Sequence, residues 1–127
     1  MIPVLLGAPS DAAAAAGVLR EVSAASLVGR DSPDLLPAVL TEIAVLVSGD
    51  TGVAHLAAAL GTPVVALFGP TGSGAAAPRS AARRVMRHPV PCAPCFYRAC
   101  PIDHPCMRGI SPTPCGDEID ALLARTA

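Results

Sequence analysis

A glycine-rich turn from Ser48 to Gly52 carries the residues best suited to bind an anion. It follows an apolar run and opens a predicted helix, so its backbone N–H groups lie at a helix N-terminus, where phosphates and diphosphates bind. Thr51 adds a hydroxyl donor, and His55, one helical turn further on, leans back toward the same end. Asp50 competes with a phosphate for these N–H groups, so it is assigned as a helix cap or as an acceptor for a sugar hydroxyl. In the alternative interpretation Asp50 only caps the helix and His55 is a core histidine.

A second group of reactive side chains lies in a proline-rich stretch near the C-terminus. Its members are Cys92, Cys95, Cys100 and Cys106. Four thiolates around one zinc ion would fix a loop that has no core of its own. Free thiols and disulfides remain as alternatives, because only the first two cysteines form a close pair and because His88 and His104 make the ligand set ambiguous. The glycines from 69 to 74 do not form a P-loop, since the sequence contains no Lys to reach a terminal phosphate.

The composition excludes several classes of protein. The 127 residues correspond to about one domain, and a hydrophobic content of 52% argues against disorder. Nine Arg and no Lys against ten acids give a net charge of −1, which does not fit a nucleic-acid or anionic-membrane binder. No apolar run approaches the roughly 20 residues of a membrane span, and no basic segment precedes the first apolar run. We therefore expect a soluble chain in the reducing cytoplasm.

Apolar runs and turn signals predict four strands that alternate with three helices. The predicted strands are 2–6, 25–28, 44–47 and 64–68, and the predicted helices are 12–22, 32–43 and 53–60. Short connections between them indicate an α/β fold, with a Rossmann-like parallel sheet and helices on both faces, whose ligands bind at the carboxyl ends of the strands. We expect one domain over 1–127, with this core in 1–70, a loop-rich Cys/Pro segment in 71–115 and a C-terminal helix in 116–127, formed by Asp117–Arg125.

Residues 50–71, DTGVAHLAAALGTPVVALFGPT, closely resemble the signature of glycosyltransferase family 9, the ADP-heptose:lipopolysaccharide heptosyltransferases. The match is long and has no gap. Residues 91–101, PCAPCFYRACP, and 106–110, CMRGI, are similar to the cysteine-bearing tail of heptosyltransferase II-like members. The resemblance implies the C-terminal, nucleotide-sugar-binding half of a GT-B fold, in which two Rossmann-like domains enclose the active site.

The resemblance also implies roles for particular residues. Asp50, Thr51, Gly52 and His55 match the positions that line the diphosphate and sugar of the donor, and Thr71 belongs to the same donor-binding set. Asp11 matches an acidic residue that holds the nucleotide ribose, although it is also an ordinary N-cap. Where the family usually has Asp or another polar residue after Thr71, this sequence continues with Gly72-Ser73.

The implied activity is transfer of a heptose from ADP-heptose to the lipopolysaccharide inner core, by a single displacement that inverts the anomeric centre and requires no metal cofactor. The catalytic Asp of the family's N-terminal domain and a phosphate-binding Lys have no counterpart in these 127 residues, so we expect no catalysis by this chain alone. The alternatives are a non-catalytic nucleotide-sugar-binding fragment that needs a partner chain, and a small metal-binding domain.

Further expectations concern partners and location. The basic cluster of Arg79, Arg83, Arg84 and Arg87 is either a solvated surface or a binding surface for the phosphates of a lipid A–core acceptor. A sheet edge left uncovered by absent strands would favour a homodimer. The location expected from the resemblance is the cytoplasm or the periphery of the inner membrane.

Overall fold

The computed structural model describes residues 1–30 and 32–126, with the side chain of Ala75 left out. Ala127, the last residue of the predicted C-terminal segment, lies outside this range. The chain divides into two compact units, Met1–Ala38 and Val39–Ala127. In the described residues no helix is both long enough and apolar enough to cross a membrane.

The first unit contains one β-α-β element. Strands β1 and β2 are parallel, and helix α1 with a preceding 3₁₀ turn connects them; the bounds are β1 Val4–Leu5, 3₁₀ turn Pro9–Asp11, α1 Ala12–Glu21 and β2 Ala25–Ser26. Backbone pairing continues beyond the strands, because the Gly29 N–H donates to the Gly7 carbonyl at 2.8 Å. The two predicted strands and the helix are therefore present, with shorter strands than expected.

Helix α2, Leu35–Glu42, begins three residues later than predicted. The Ser32 hydroxyl still accepts a hydrogen bond from the Leu35 N–H at 3.0 Å, as expected of a residue that precedes a helix. The late start places Pro37 in the first turn, where its missing N–H has no intrahelical acceptor to lose. Pro37 therefore does not interrupt the helix.

The second unit contains a parallel sheet in the order β3-β4-β5 and three further helices after α3. The bounds are β3 Leu46–Ser48, α3 Gly52–Ala59, β4 Val64–Phe68, α4 Ser73–Ala76, β5 Arg83–Arg87, α5 Pro105–Arg108 and α6 Pro112–Thr126. The central strand β4 is buried on both faces, since Val64, Val65 and Ala66 are all fully buried. Helices α3, α5 and α6 contact β4. Parallel strands with helices make this an α/β fold, as predicted.

Two predicted element bounds in the second half of the chain were wrong, and one strand was not predicted. The segment 71–115, expected to be loop-rich, contains the strand β5, which pairs with the full length of β4. Strand β5 reads RRVMR; at a sheet edge such a strand tolerates charged side chains, so it lacks the apolar signature used to find strands. Helix α6 begins at Pro112 rather than Asp117, because Pro112 and Pro114 occupy its first turn. Strand β3 lies one to two residues later than the predicted 44–47.

Candidate functional site

Helix α3 presents its first turn to solvent at the carboxyl end of β3. Its inner face is apolar, with Ala54 and Ala57 almost fully buried, and this burial anchors the helix against β3 and β4. Gly61, with a φ of 85°, ends the following turn in a conformation that favours glycine. Because β4 runs parallel to β3, the loop after β4 emerges at the same edge of the sheet.

The backbone N–H groups at the start of α3 are free to bind a ligand. Thr51 is the N-cap residue, with extended backbone angles, and no side chain caps this helix. The first N–H groups of a helix have no intrahelical acceptor. At Gly52 no atom lies within 4 Å of the position that a Cβ would occupy, so an anion can approach the backbone closely.

The Thr51 hydroxyl is held in place by a neighbour. Its Oγ1 lies 3.0 Å from Ser48 Oγ, and either hydroxyl can donate this hydrogen bond. When Ser48 donates, the hydrogen of Thr51 is available for an oxygen outside the chain. The turn therefore combines backbone N–H groups with one oriented hydroxyl, which is a donor set suited to a diphosphate.

The structure excludes the alternative in which Asp50 caps α3 and His55 is a core histidine. Both side chains are exposed, so His55 is not a core histidine. Asp50 does not cap α3, because the helix has no side-chain cap. Asp50, Thr51, Gly52 and His55 are thus brought together at one solvent-facing helix end, free to contact a ligand.

Asp11 lies in the first unit. It occupies the N-cap position of α1, yet its carboxylate does not cap that helix. Instead Asp11 Oδ2 accepts a hydrogen bond from the Ala8 N–H at 2.9 Å. A Cβ at Gly7 would lie 2.9 Å from the same oxygen, so glycine lets the carboxylate close this turn. The exposed Asp11 keeps a second carboxylate oxygen for another donor.

Thr71 lines a cavity of about 140 Å³ at the carboxyl ends of β4 and β5. Thr71 was expected at the donor site, whereas the cavity itself was not predicted from the sequence. Its other polar side chains are Ser73, Arg87 and His88. The sequence signal that could have indicated this cavity is the basic cluster. Arg87 is the only member of that cluster that lines the cavity.

The four clustered cysteines are not gathered as metal ligands would be: in the described part of the chain no three His, Cys, Asp or Glu side chains form such a group. All five cysteines are free, and Cys106 is buried whereas Cys92 is exposed. The backbone N–H of His104 donates to Cys100 Sγ at 3.2 Å.

Two arginines of the basic cluster form hydrogen bonds or ion pairs within the chain. Arg83 Nη1 donates to the Pro78 carbonyl at 2.6 Å. Arg84 Nε forms an ion pair with Glu118 Oε2, also at 2.6 Å, which connects β5 to α6. These two guanidinium groups are therefore engaged within the chain.

Two solved structures resemble the whole chain. One is ADP-heptose LPS heptosyltransferase II of Escherichia coli, with a TM-score of 0.82 and 27% identity; the match covers 97% of this chain and 36% of that protein. The other is a glycosyltransferase family 9 protein of Veillonella parvula, with a TM-score of 0.81 and 21% identity; it covers 98% of this chain and 37% of that protein, and it supports the fold alone. The parallel α/β arrangement thus matches part of each larger structure.

Sequence comparisons point to the same family. Lipopolysaccharide heptosyltransferase 1 of Pseudomonas aeruginosa is 40% identical over 62 residues, which is 49% of this chain and 18% of that protein. The chain therefore spans about a third of the length of the solved relatives, and its match covers less than a fifth of the curated one. Residues 3–105 match the family described as glycosyltransferase family 9 (heptosyltransferase). Since this match covers most of the chain, the chain belongs to glycosyltransferase family 9.

Proposed function

We propose that the turn at the start of α3 binds the diphosphate of a nucleotide-sugar donor. The observation that carries the proposal is the uncapped N-terminus of α3, with open space at Gly52. Uncompensated N–H groups and the positive end of the helix dipole favour a diphosphate there. The Thr51 hydroxyl, held by Ser48, adds a donor for a phosphate oxygen.

The residues around this turn take the remaining parts of the donor. Asp50, exposed beside the helix end, accepts hydrogen bonds from sugar hydroxyls, and His55 contacts the same end of the donor. Thr71 binds the donor from the loop after β4, and the ribose contact that the resemblance implies for Asp11 stays a prediction. Membership of the heptosyltransferase family and the likeness to an ADP-heptose-dependent enzyme support ADP-heptose as the donor.

The proposed reaction is transfer of the heptose to the lipopolysaccharide inner core with inversion at the anomeric carbon. An acceptor hydroxyl attacks that carbon, the bond to the diphosphate oxygen breaks, and ADP leaves with the bonding electrons. The N–H groups of α3 and Thr51 stabilise the charge that develops on ADP. A base other than these residues takes the acceptor proton, and the residues of the α3 turn bind the donor.

Isothermal titration of the 127-residue chain with ADP tests the assignment. Gly52→Leu places a side chain in the open space over the N–H groups, and we expect ADP binding at least about tenfold weaker, because the diphosphate can no longer reach the backbone. Gly116→Leu is the matched control, since Gly116 also has no atom within 4 Å of its would-be Cβ but lies in α6. Equal affinity of the two variants for ADP would exclude a diphosphate site at α3.

The sugar contact is tested separately from the diphosphate contact. Asp50→Ala should weaken binding of ADP-heptose more than binding of ADP, because the carboxylate contacts the sugar. Asp120→Ala removes an exposed carboxylate from α6 and should change neither affinity. If Asp50→Ala weakens the binding of ADP and of ADP-heptose by the same factor, Asp50 does not contact the sugar.

A further inference from the structure

The loops that follow β4 and β5 enclose the cavity that contains Thr71. Phe68 and Arg87, the last residues of the two strands, are register partners, so both loops leave the sheet side by side. The loop after β5 folds back onto the loop after β4: the N–H groups of Cys95 and Phe96 both donate to the Pro70 carbonyl, at 2.9 and 3.0 Å. The segment 92–96 is thus fixed as one wall of the cavity.

Close contacts at Gly109 and Gly69 hold residues of the cavity lining in position. The His88 ring lies against Gly109; a Cβ there would lie 2.7 Å from His88 Nε2 and closer still to the ring carbons, so a side chain at this position would require the ring to move. Gly69 is covered in the same way by Met107 and Cys106, and a Cβ there would overlap the Met107 side chain. The loop around α5 therefore holds His88 and the start of the β4 loop in position.

The polar side chains of the residues that line this cavity can all donate hydrogen bonds. Arg87 and His88 provide nitrogen donors, Thr71 and Ser73 provide hydroxyls, and no acidic residue lines it. Within residues 1–30 and 32–126 the Arg87 guanidinium and both hydroxyls have no hydrogen-bond partner. By contrast, Arg83 donates a hydrogen bond to the Pro78 carbonyl and Arg84 forms an ion pair with Glu118.

The cavity has room for a small anion. Its volume of about 140 Å³ is roughly ten times the least volume that holds one water molecule, about 10–15 Å³. This space admits a phosphoryl group. A guanidinium with adjacent hydroxyls matches the tetrahedral oxygens of a phosphoryl group.

We infer that the cavity is a second anion site, which binds the phosphoryl group of a sugar phosphate through Arg87, His88, Thr71 and Ser73. This site shares Thr71 with the proposed donor site, and its test therefore uses Arg87 and Ser73, which have no part in the donor assignment. The phosphate enters between the two loops and accepts hydrogen bonds from Arg87 and the hydroxyls, while the sugar remains outside toward solvent. Among the four clustered arginines, Arg87 alone provides the phosphate contact.

The test is an NMR titration of the ¹⁵N-labelled 127-residue chain with glucose 6-phosphate. We expect saturable shifts of the Gly72, Ser73 and His88 amides, and no saturable shifts with glucose. Inorganic phosphate in a parallel titration separates recognition of the free anion from recognition of a sugar phosphate. Arg87→Gln should raise the Kd for glucose 6-phosphate about tenfold or more, because a charge-assisted contact is lost.

The control is Arg79→Gln, which removes an equal charge from an exposed residue outside the cavity lining. It should change the Kd less than about twofold. Ser73→Ala is the second variant and should weaken binding without any change of charge. Equal effects of the two arginine variants would mean only a diffuse electrostatic attraction and would overturn the proposal, as would saturable shifts with glucose. Gly52→Leu should leave this Kd unchanged, so the two sites are tested independently.

Discussion

Thr62 joins the start of β4 to the end of α2 through one buried hydrogen bond. Its Oγ1 donates to the Leu40 carbonyl at 2.6 Å, and Thr62 and Leu40 are only 5% and 0% exposed. The Leu40 carbonyl belongs to the last turn of α2, whose carbonyls have no intrahelical donor. Thr62→Val preserves the shape of the side chain and removes this donor.

The expected cost follows from the burial of the acceptor. A buried carbonyl without a partner destabilises a protein by about 1–3 kcal/mol, because water cannot replace the lost donor. For a chain of this length each kcal/mol corresponds to roughly 4 °C of melting temperature. Thr62→Val should therefore lower the Tm by about 4 to 12 °C.

The assay is thermal and urea unfolding followed by circular dichroism. Thr126→Val is the matched control, since the Thr126 hydroxyl also donates to a helix carbonyl, that of Leu123 at 3.0 Å, but this bond is exposed. Water replaces an exposed donor, so the control should lose less than about 0.5 kcal/mol. Equal losses in the two variants, or no loss in Thr62→Val, would refute the argument that burial sets the cost.

Three further substitutions should change stability, each measured by urea unfolding. Gly109→Ala should destabilise the fold by about 1–3 kcal/mol, because its methyl group would overlap the His88 ring; a neutral result would contradict this packing. Gly116→Ala should stabilise the protein by about 0.5–1 kcal/mol, since Gly116 lies within α6 with open space around it, and a loss of stability would reveal a contact there. Arg84→Gln should cost at most about 1 kcal/mol, because its ion pair with Glu118 is partly exposed, and the difference from the parent chain should shrink in 1 M NaCl; a difference independent of salt would exclude an electrostatic origin.

The α3 turn was predictable because its signals are local. An apolar run, a glycine-rich turn and an alanine-rich helix closed by Gly61 follow one another directly, and each is specified by neighbouring residues. The bounds predicted for β4 are those found, and the bounds for α3 differ by one residue at each end. Resemblance added the roles of Asp50, Thr51, Gly52 and His55, which spacing alone left open. Those roles stay predictions until the titrations are made.

The cavity and β5 were not predictable from the same signals. Strand β5 is held by pairing with β4 over its whole length, and its arginines give it no apolar periodicity. The cavity forms only because the segment 92–96 bonds back to Pro70, which lies more than twenty residues earlier. Contacts between residues so far apart in sequence leave no local pattern.

The amino-acid sequence by itself determined the order and type of most helices and strands, the family, and the turn where a diphosphate is expected, because periodicity, turn residues and a contiguous signature are properties of neighbouring residues. Only the tertiary structure decided that His55 is exposed, that no three candidate metal ligands are gathered in the described residues, and that Arg87 rather than Arg83 or Arg84 lines a cavity. These properties depend on which distant segments pack together, since burial and hydrogen-bond partners are set by the whole fold.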